Sequence, residues 1–251
     1  MIITRTPFRI SFFGGGSDYP AFYNEHDGAV LSTSIDKYCY IVLRKLPPFF
    51  DHKYRIRYTQ REEVNSIQEI QHPSVRACLQ YMGLLDGVEI THTSDIPAMS
   101  GVGSSSAFTV GLLHALYTLN GEDVSKSELC QGALHVEQSM LAENVGSQDQ
   151  TAAAYGGLNK IKFKKNLQPI VSPVAIQRHR RVELENNLMM FFTGFSRISD
   201  NIAKEQIATT PQLTDELNSM RMLVNQAMEV LADESIDLRE FGHLLHESWS
   251  I

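Results

Sequence analysis

Hydrophobic and polar positions alternate along the first third of the chain and then give way to helical periods. Ile2–Phe13 is rich in β-branched and aromatic residues and breaks at Gly14–Gly15–Gly16, then Ser17–Asp18–Tyr19–Pro20, so it reads as a strand running into a tight loop. Ala29–Leu46 alternates loosely through Val30, Leu31, Ile35, Tyr38, Tyr40 and Val42, which predicts one or two strands stopped by Pro47–Pro48. Tyr54–Tyr58 puts Arg55 and Arg57 on one face and Tyr54, Ile56 and Tyr58 on the other. A helix is expected over His72–Met82, a strand over Gly87–Thr93, and an apolar, proline-free helix from Ala107 to about Leu119. Ser125 with Glu128 forms a capping box that opens a helix to about Ala142. Ser147–Tyr155 reads as a short helix closed by Gly156–Gly157. Strands are expected at Leu158–Phe163, Val171–Ala175 and Leu188–Phe192, with Met189–Met190–Phe191–Phe192 buried on both faces.

Long helical patterns follow at Ser199–Ala208, Gln212–Leu231 and Asp237–Trp249, with Phe241, Leu244, Leu245 and Trp249 as core positions. The texture shifts near Gly194 from β-rich to all-helical, which suggests domains at 1–193 and 194–251. The last pattern reaches Ser250–Ile251 with no cap, glycine or polar tail and reads as a truncated product.

Composition narrows the class. A chain of 251 residues, 43% hydrophobic and 20% charged, has the profile of a globular protein with one large domain or two smaller ones. A net charge of -7 argues against nucleic-acid binding and favours a small-molecule protein. The basic runs Lys160–Lys165 and Arg178–Arg181 read as a solvated strand edge or turn. Cys39, Cys78 and Cys130 are odd in number and widely spaced, as expected of reduced thiols rather than a disulfide framework or metal site. The N-terminus lacks a signal-peptide core and no stretch approaches a membrane span, so a cytoplasmic protein with no membrane association is expected.

The most informative chemistry lies in Met99–Ser100–Gly101–Val102–Gly103–Ser104–Ser105–Ser106–Ala107–Phe108, led in by Pro97 and Ala98. Small residues let a backbone curl around an anion, and N–H groups at the start of the following helix point toward it. The serine hydroxyls add donors for phosphate or ligands for Mg²⁺. No lysine occurs between Lys53 and Lys126, which excludes a Walker A loop, and Ser106 stands where a dinucleotide fingerprint needs its third glycine. Phosphoryl transfer also needs a metal ligand, a group acting on the acceptor hydroxyl, and a cation. Glu137, Asp149 and Arg9 are the candidates; Asp149 also suits a helix first turn and Glu137 a surface position. His243, His246 and Glu247 share a helical face, but their spacing is not that of a zinc motif.

Three stretches in order resemble the GHMP kinase superfamily. They are Thr6–Tyr19 with its basic residue Arg9, Pro97–Ala107 against P-x-x-x-G-L-G-S-S-A-A, and Glu137–Gly157 with an S-x-x-D context. The resemblance implies an α+β fold of two lobes: an N-terminal lobe of the ribosomal S5 domain 2-like kind and a C-terminal lobe beginning near Gly194. It implies ATP and Mg²⁺, with Ser105 and Glu137 holding the metal. Pro97, Met99, Ser100, Gly101, Val102, Gly103, Ser104, Ser105 and Ser106 would hold the nucleotide. Asp149 would orient or deprotonate the acceptor hydroxyl, and Arg9 would neutralise charge near the transferred phosphate. The Gly14–Tyr19 form and Thr193–Arg197 are similar to the branch that phosphorylates D-glycero-D-manno-heptose 7-phosphate. That similarity implies a sugar phosphate substrate contacted by Gly15, Gly16, Ser17, Asp18, Ser196 and Arg197. No third glycine-rich motif follows Gly194, where the next glycine is Gly242, so the C-terminal lobe is expected to be incomplete. Fucose, galactose, a small alcohol, or sugar and nucleotide binding without catalysis remain alternatives, and a homodimer is left open.

Overall fold

A computed structural model describes residues 1–84, 86–98, 100–191 and 199–251. The expected division at 193 and 194, together with Phe192, Ser196 and Arg197, lies outside the described residues, as does Met99. The strands are β1 (Ile2–Phe13), β2 (Gly28–Lys45), β3 (Tyr54–Arg57), β4 (Arg61–Val64), β5 (Val88–Ser94), β6 (Leu158–Phe163) and β7 (Ile170–Pro173). The helices are α1 (Pro20–His26), α2 (Pro73–Tyr81), α3 (Ser104–Asn120), α4 (Lys126–Leu134), α5 (Gln148–Tyr155), α6 (Arg178–Asn186), α7 (Ser199–Thr209), α8 (Thr214–Ala232) and α9 (Arg239–Ser250). The result is the mixed α+β class that the family resemblance implies.

The chain folds as two compact units that interleave in sequence. The first comprises Met1–Arg9, Ile35–Val145 and Asp149–Gly156; the second comprises Ile10–Ser34, Gly146–Gln148 and Gly157–Ile251. In the first unit, β5 lies between the C-terminal half of β2, antiparallel from Cys39 to Lys45, and β3, which runs parallel to it; β4 closes a hairpin on β3. Ile41, Leu43, Ile56, Val88 and Ile90 point to one side and pack with Val75, Leu79, Leu112, Leu113 and Leu116 from α2 and α3. Because α3 is buried almost all round, its period is apolar rather than amphipathic.

In the second unit, β6 pairs with the N-terminal half of β2 from Gly28 to Thr33 and carries β7 on its other edge. Phe13, Leu31, Leu223, Val224, Ala227 and Phe241 form its core. The Phe241 ring meets those of Phe12 and Phe13 edge-on at 5.2 and 5.1 Å.

Of the one or two strands expected after the first loop, the structure has one, Gly28–Lys45, of 18 residues. Other expectations need correction. The basic run Arg178–Arg181 opens helix α6: Arg180 is buried, donating Nη2 to the carbonyls of Val230 (2.9 Å), in the last turn of α8, and of Ile236 (2.6 Å), in the segment beyond it. Met189, Met190 and Phe191 form no strand and are 81%, 58% and 76% exposed. Trp249 is also exposed, because eight residues carry it about 80° around α9 from buried Phe241. The helix opened at Ser125 ends at Leu134 and passes into a π-helical turn, His135–Met140. Strand β4 and helix α1 carry too short a pattern to read.

Gly14 shows why the first loop is glycine-rich. Its φ is +84°, and a Cβ there would stand 2.0 Å from the Ala29 carbonyl oxygen. Both effects disfavour any side chain. Gly14→Ala is therefore expected to cost at least about 3 kcal/mol in urea unfolding, since left-handed strain and an immovable backbone clash add.

Candidate functional site

Within the first unit, Gly101 and Gly103 adopt φ of +78° and +74°, a left-handed backbone that bends the loop into the start of α3. The first i to i−4 bond of the helix joins Ala107 N–H to the Gly103 carbonyl at 2.9 Å. Ser104, Ser105 and Ser106 therefore have N–H groups with no helical acceptor, and Gly103 as N-cap brings no side chain to occupy them. Such a helix start is a seat for an anion.

Arg9, at the end of the first unit's portion of β1, ties this turn to Asp149. Its backbone N–H donates to the Val102 carbonyl at 3.1 Å, and Nη1 donates to the Gly101 carbonyl at 2.8 Å. Nε and Nη2 reach Asp149 Oδ1 at 2.7 and 2.6 Å. The other oxygen, Oδ2, faces the turn: a Cβ on Gly103 would meet it at 3.3 Å, and Arg9 Cγ at 3.4 Å. The two side chains remain 15% and 27% exposed, so the pair contributes about 1 kcal/mol at most to folding. Its effect is geometric: a carboxylate oxygen is held against the anion seat.

Behind the turn, Glu137 is buried in the π-helical turn, a local widening that recurs at functional sites. Its Oε2 accepts from Ser106 Oγ at 2.8 Å and from Gln150 Nε2, while Oε1 is buried with no hydrogen-bond partner of good geometry. Burial raises its pKa to about 7, against partial relief from Thr109, Ser106 and Gln150. Glu137 thus hydrogen-bonds Ser106, the residue after the Ser105 that was expected to share a cation with it. Ser105 faces outward at the same turn, one residue earlier on the helix. Of the remaining loop residues, Pro97 accepts the Ser100 hydroxyl at 2.8 Å and Val102 packs on the core.

In the second unit, the residues expected to face substrate divide. Ser17 is fully buried, its hydroxyl donating to the carbonyls of Gly14 (2.7 Å) and Ala29 (3.0 Å). Asp18 is fully buried as well, its carboxylate taken up by Gly16 and Gln148. Gly16 is covered by Gln206 and Leu217, either of which a Cβ would strike within 3 Å; Gly15 borders open space. The loop is therefore mainly a folded buckle. A run of small and polar residues reads alike whether its polar atoms face a ligand or the backbone. Gln148 and Gln150 escaped the sequence reading, although a Gln–Asp–Gln triplet heading an otherwise small-residue helix was a readable signal.

Residues 69–157 match the GHMP kinases N terminal domain. That stretch is similar to the GHMP kinase family. The chain is 28% identical over 262 residues to the D-glycero-alpha-D-manno-heptose 7-phosphate kinase of Campylobacter jejuni, covering 99% of this chain and 76% of that protein. It is 25% identical to the galactokinase of Chloroflexus aggregans, covering 97% of this chain and 61% of the relative. Among solved structures, a D-glycero-D-manno-heptose 1-phosphate kinase from Bacteroides thetaiotaomicron shares the fold at a TM-score of 0.84 and 23% identity, covering 100% of this chain and 78% of the other. These relatives are sugar kinases. Among the described residues no helix is long and apolar enough to cross a membrane.

The state of Glu137 gives a measurable sign. Its carboxyl titrates near 7 in the fold against an ordinary 4.5, so the folded chain keeps a proton that the unfolded chain loses. That contribution is complete below pH 4.5 and is lost as pH rises to about 7. Between pH 5 and 8 without metal, wild type should lose about 2 kcal/mol of stability relative to Glu137→Gln in urea titrations.

Proposed function

We propose that this chain transfers the γ-phosphoryl group of ATP to a sugar hydroxyl, and that the acceptor is C1 of D-glycero-D-manno-heptose 7-phosphate. The observation that carries the transfer chemistry is the Arg9–Asp149 pair lying against Gly103 beneath the free N–H groups of α3. The heptose phosphate is favoured by the Campylobacter jejuni relative and by the Gly14–Tyr19 sequence, in which Gly15 borders open space.

Each residue has a role that follows from its place. The N–H groups of Ser104, Ser105 and Ser106 and the turn at Gly101–Gly103 bind the phosphates of ATP, and Pro97, Met99, Ser100 and Val102 are assigned to the nucleotide with them. Asp149 Oδ2 orients the acceptor hydroxyl and accepts its proton as the new O–P bond forms and the bond to ADP breaks. A loose transition state asks little early proton removal, so position outweighs basicity. Arg9 holds that carboxylate and places positive charge beside the transferred group. A buried Glu137 oxygen with no partner suits a hard cation, and Ser105 at the adjacent turn is its companion ligand. Mg²⁺ held by these residues would supply positive charge to the phosphate oxygens. Ser106 and Gln150 fix the Glu137 side chain. Ser196 and Arg197 are assigned to the sugar's phosphate, which a guanidinium fork matches. A cytoplasmic setting fits the three buried free thiols.

ADP release measured over a panel of heptose 7-phosphate, fucose, galactose and mevalonate tests the acceptor; the highest kcat/KM is expected with the heptose phosphate, and preference for another member replaces it. Asp149→Asn is expected to lower kcat at least about 100-fold with little change in Tm. Turnover near that of wild type would remove Asp149 from the mechanism, and ATP and sugar binding without turnover in wild type would make the chain a binding protein.

A further inference from the structure

Asp18 occupies the position that the family resemblance assigns to the sugar's hydroxyls, yet its surroundings describe another task. Its side chain is fully buried. Oδ1 accepts from the Gly16 N–H and from Gln148 Nε2, each at 3.1 Å, and Oδ2 accepts from the Gln148 N–H at 3.2 Å. The Asp18 carbonyl accepts the Ser147 N–H at 2.9 Å. Gly146 packs so closely that a Cβ there would overlap Asp18 Oδ2 at 1.9 Å. Gln148 is held from its far end too, because its Oε1 accepts the Ser11 hydroxyl at 2.5 Å.

These contacts converge on the three residues 146–148, and Gln148 is the first residue of α5, directly before Asp149. An ionised carboxylate accepting from backbone N–H groups makes a strong, directional tie. It also meets the start of a helix, where N–H groups need acceptors and negative charge is favoured. We propose that Asp18 is a positioning residue for Asp149, anchoring the first residue of α5 through its carboxylate, rather than a ligand of the sugar. The inference rests on the sugar-kinase reading only where it concerns turnover.

The experiment is Asp18→Asn in the full chain, which puts an amide NH₂ where one of two N–H acceptors stood, with kinetics on the sugar panel and hydrogen exchange of the Gln148 amide. A positioning role predicts a fall in kcat of about 30-fold or more with sugar KM within about threefold, and Gln148 exchange faster by about tenfold. A rise in sugar KM with kcat retained, or Gln148 exchange equal to that of wild type, would overturn it. Gln148→Ala, which breaks the side-chain half of the tie, should show a smaller loss, again in kcat. Should Asp18→Asn fail to fold, that variant decides: a loss led by KM, or no loss, rejects the inference. If wild type turns over no sugar, the kinase reading falls while amide exchange still decides the anchor.

Discussion

The site depends on a single guanidinium. Arg9 binds the loop backbone at Gly101 and one oxygen of Asp149 at the same time, and so sets the distance between a seat for phosphate and the carboxylate beside it. A partly exposed ion pair adds little to stability, because water competes for both charges. Its value here is that five planar donors leave few arrangements in which all partners are met. Gly103 completes the constraint from the other side. A side chain there would need both a left-handed backbone and space that Asp149 and Arg9 already fill.

The buried group behind this pair follows a different logic. Glu137 is removed from water with one oxygen satisfied and the other not, a state that costs free energy in the bare protein. The π-helical turn that carries it is irregular for the same end, since a regular continuation of α4 would aim position 137 elsewhere. The surrounding α3 core is apolar enough to bear this local disfavour.

The loop at Gly14–Asp18 teaches the opposite lesson. Its polar side chains look outward-facing on paper, but Ser17 donates to the backbone of Gly14 and Ala29, and Asp18 is taken up by Gly16 and by the backbone and side chain of Gln148. The Asp18 partners at Gly146–Gln148 arrive more than a hundred residues later in the chain. The misread segments share that cause. Arg180 is buried by carbonyls 50 and 56 residues away, and the apolar run at Met189–Phe191 is exposed despite its composition.

By itself the sequence determined the element types and the chemistry of the anion loop. Alternation, capping boxes and left-handed glycines act over a few residues and leave a local trace, as Ser125 with Glu128 and the Gly101–Gly103 turn do. Arg9, Glu137 and Asp149 were only candidates on their residue chemistry, and their roles came from the resemblance of three ordered stretches to a kinase family. Only the tertiary structure decided which serine meets Glu137, which loop residues face outward, and which oxygen of Asp149 is left for chemistry. Those outcomes depend on contacts across 31 and 140 residues, for which no local pattern carries a signal.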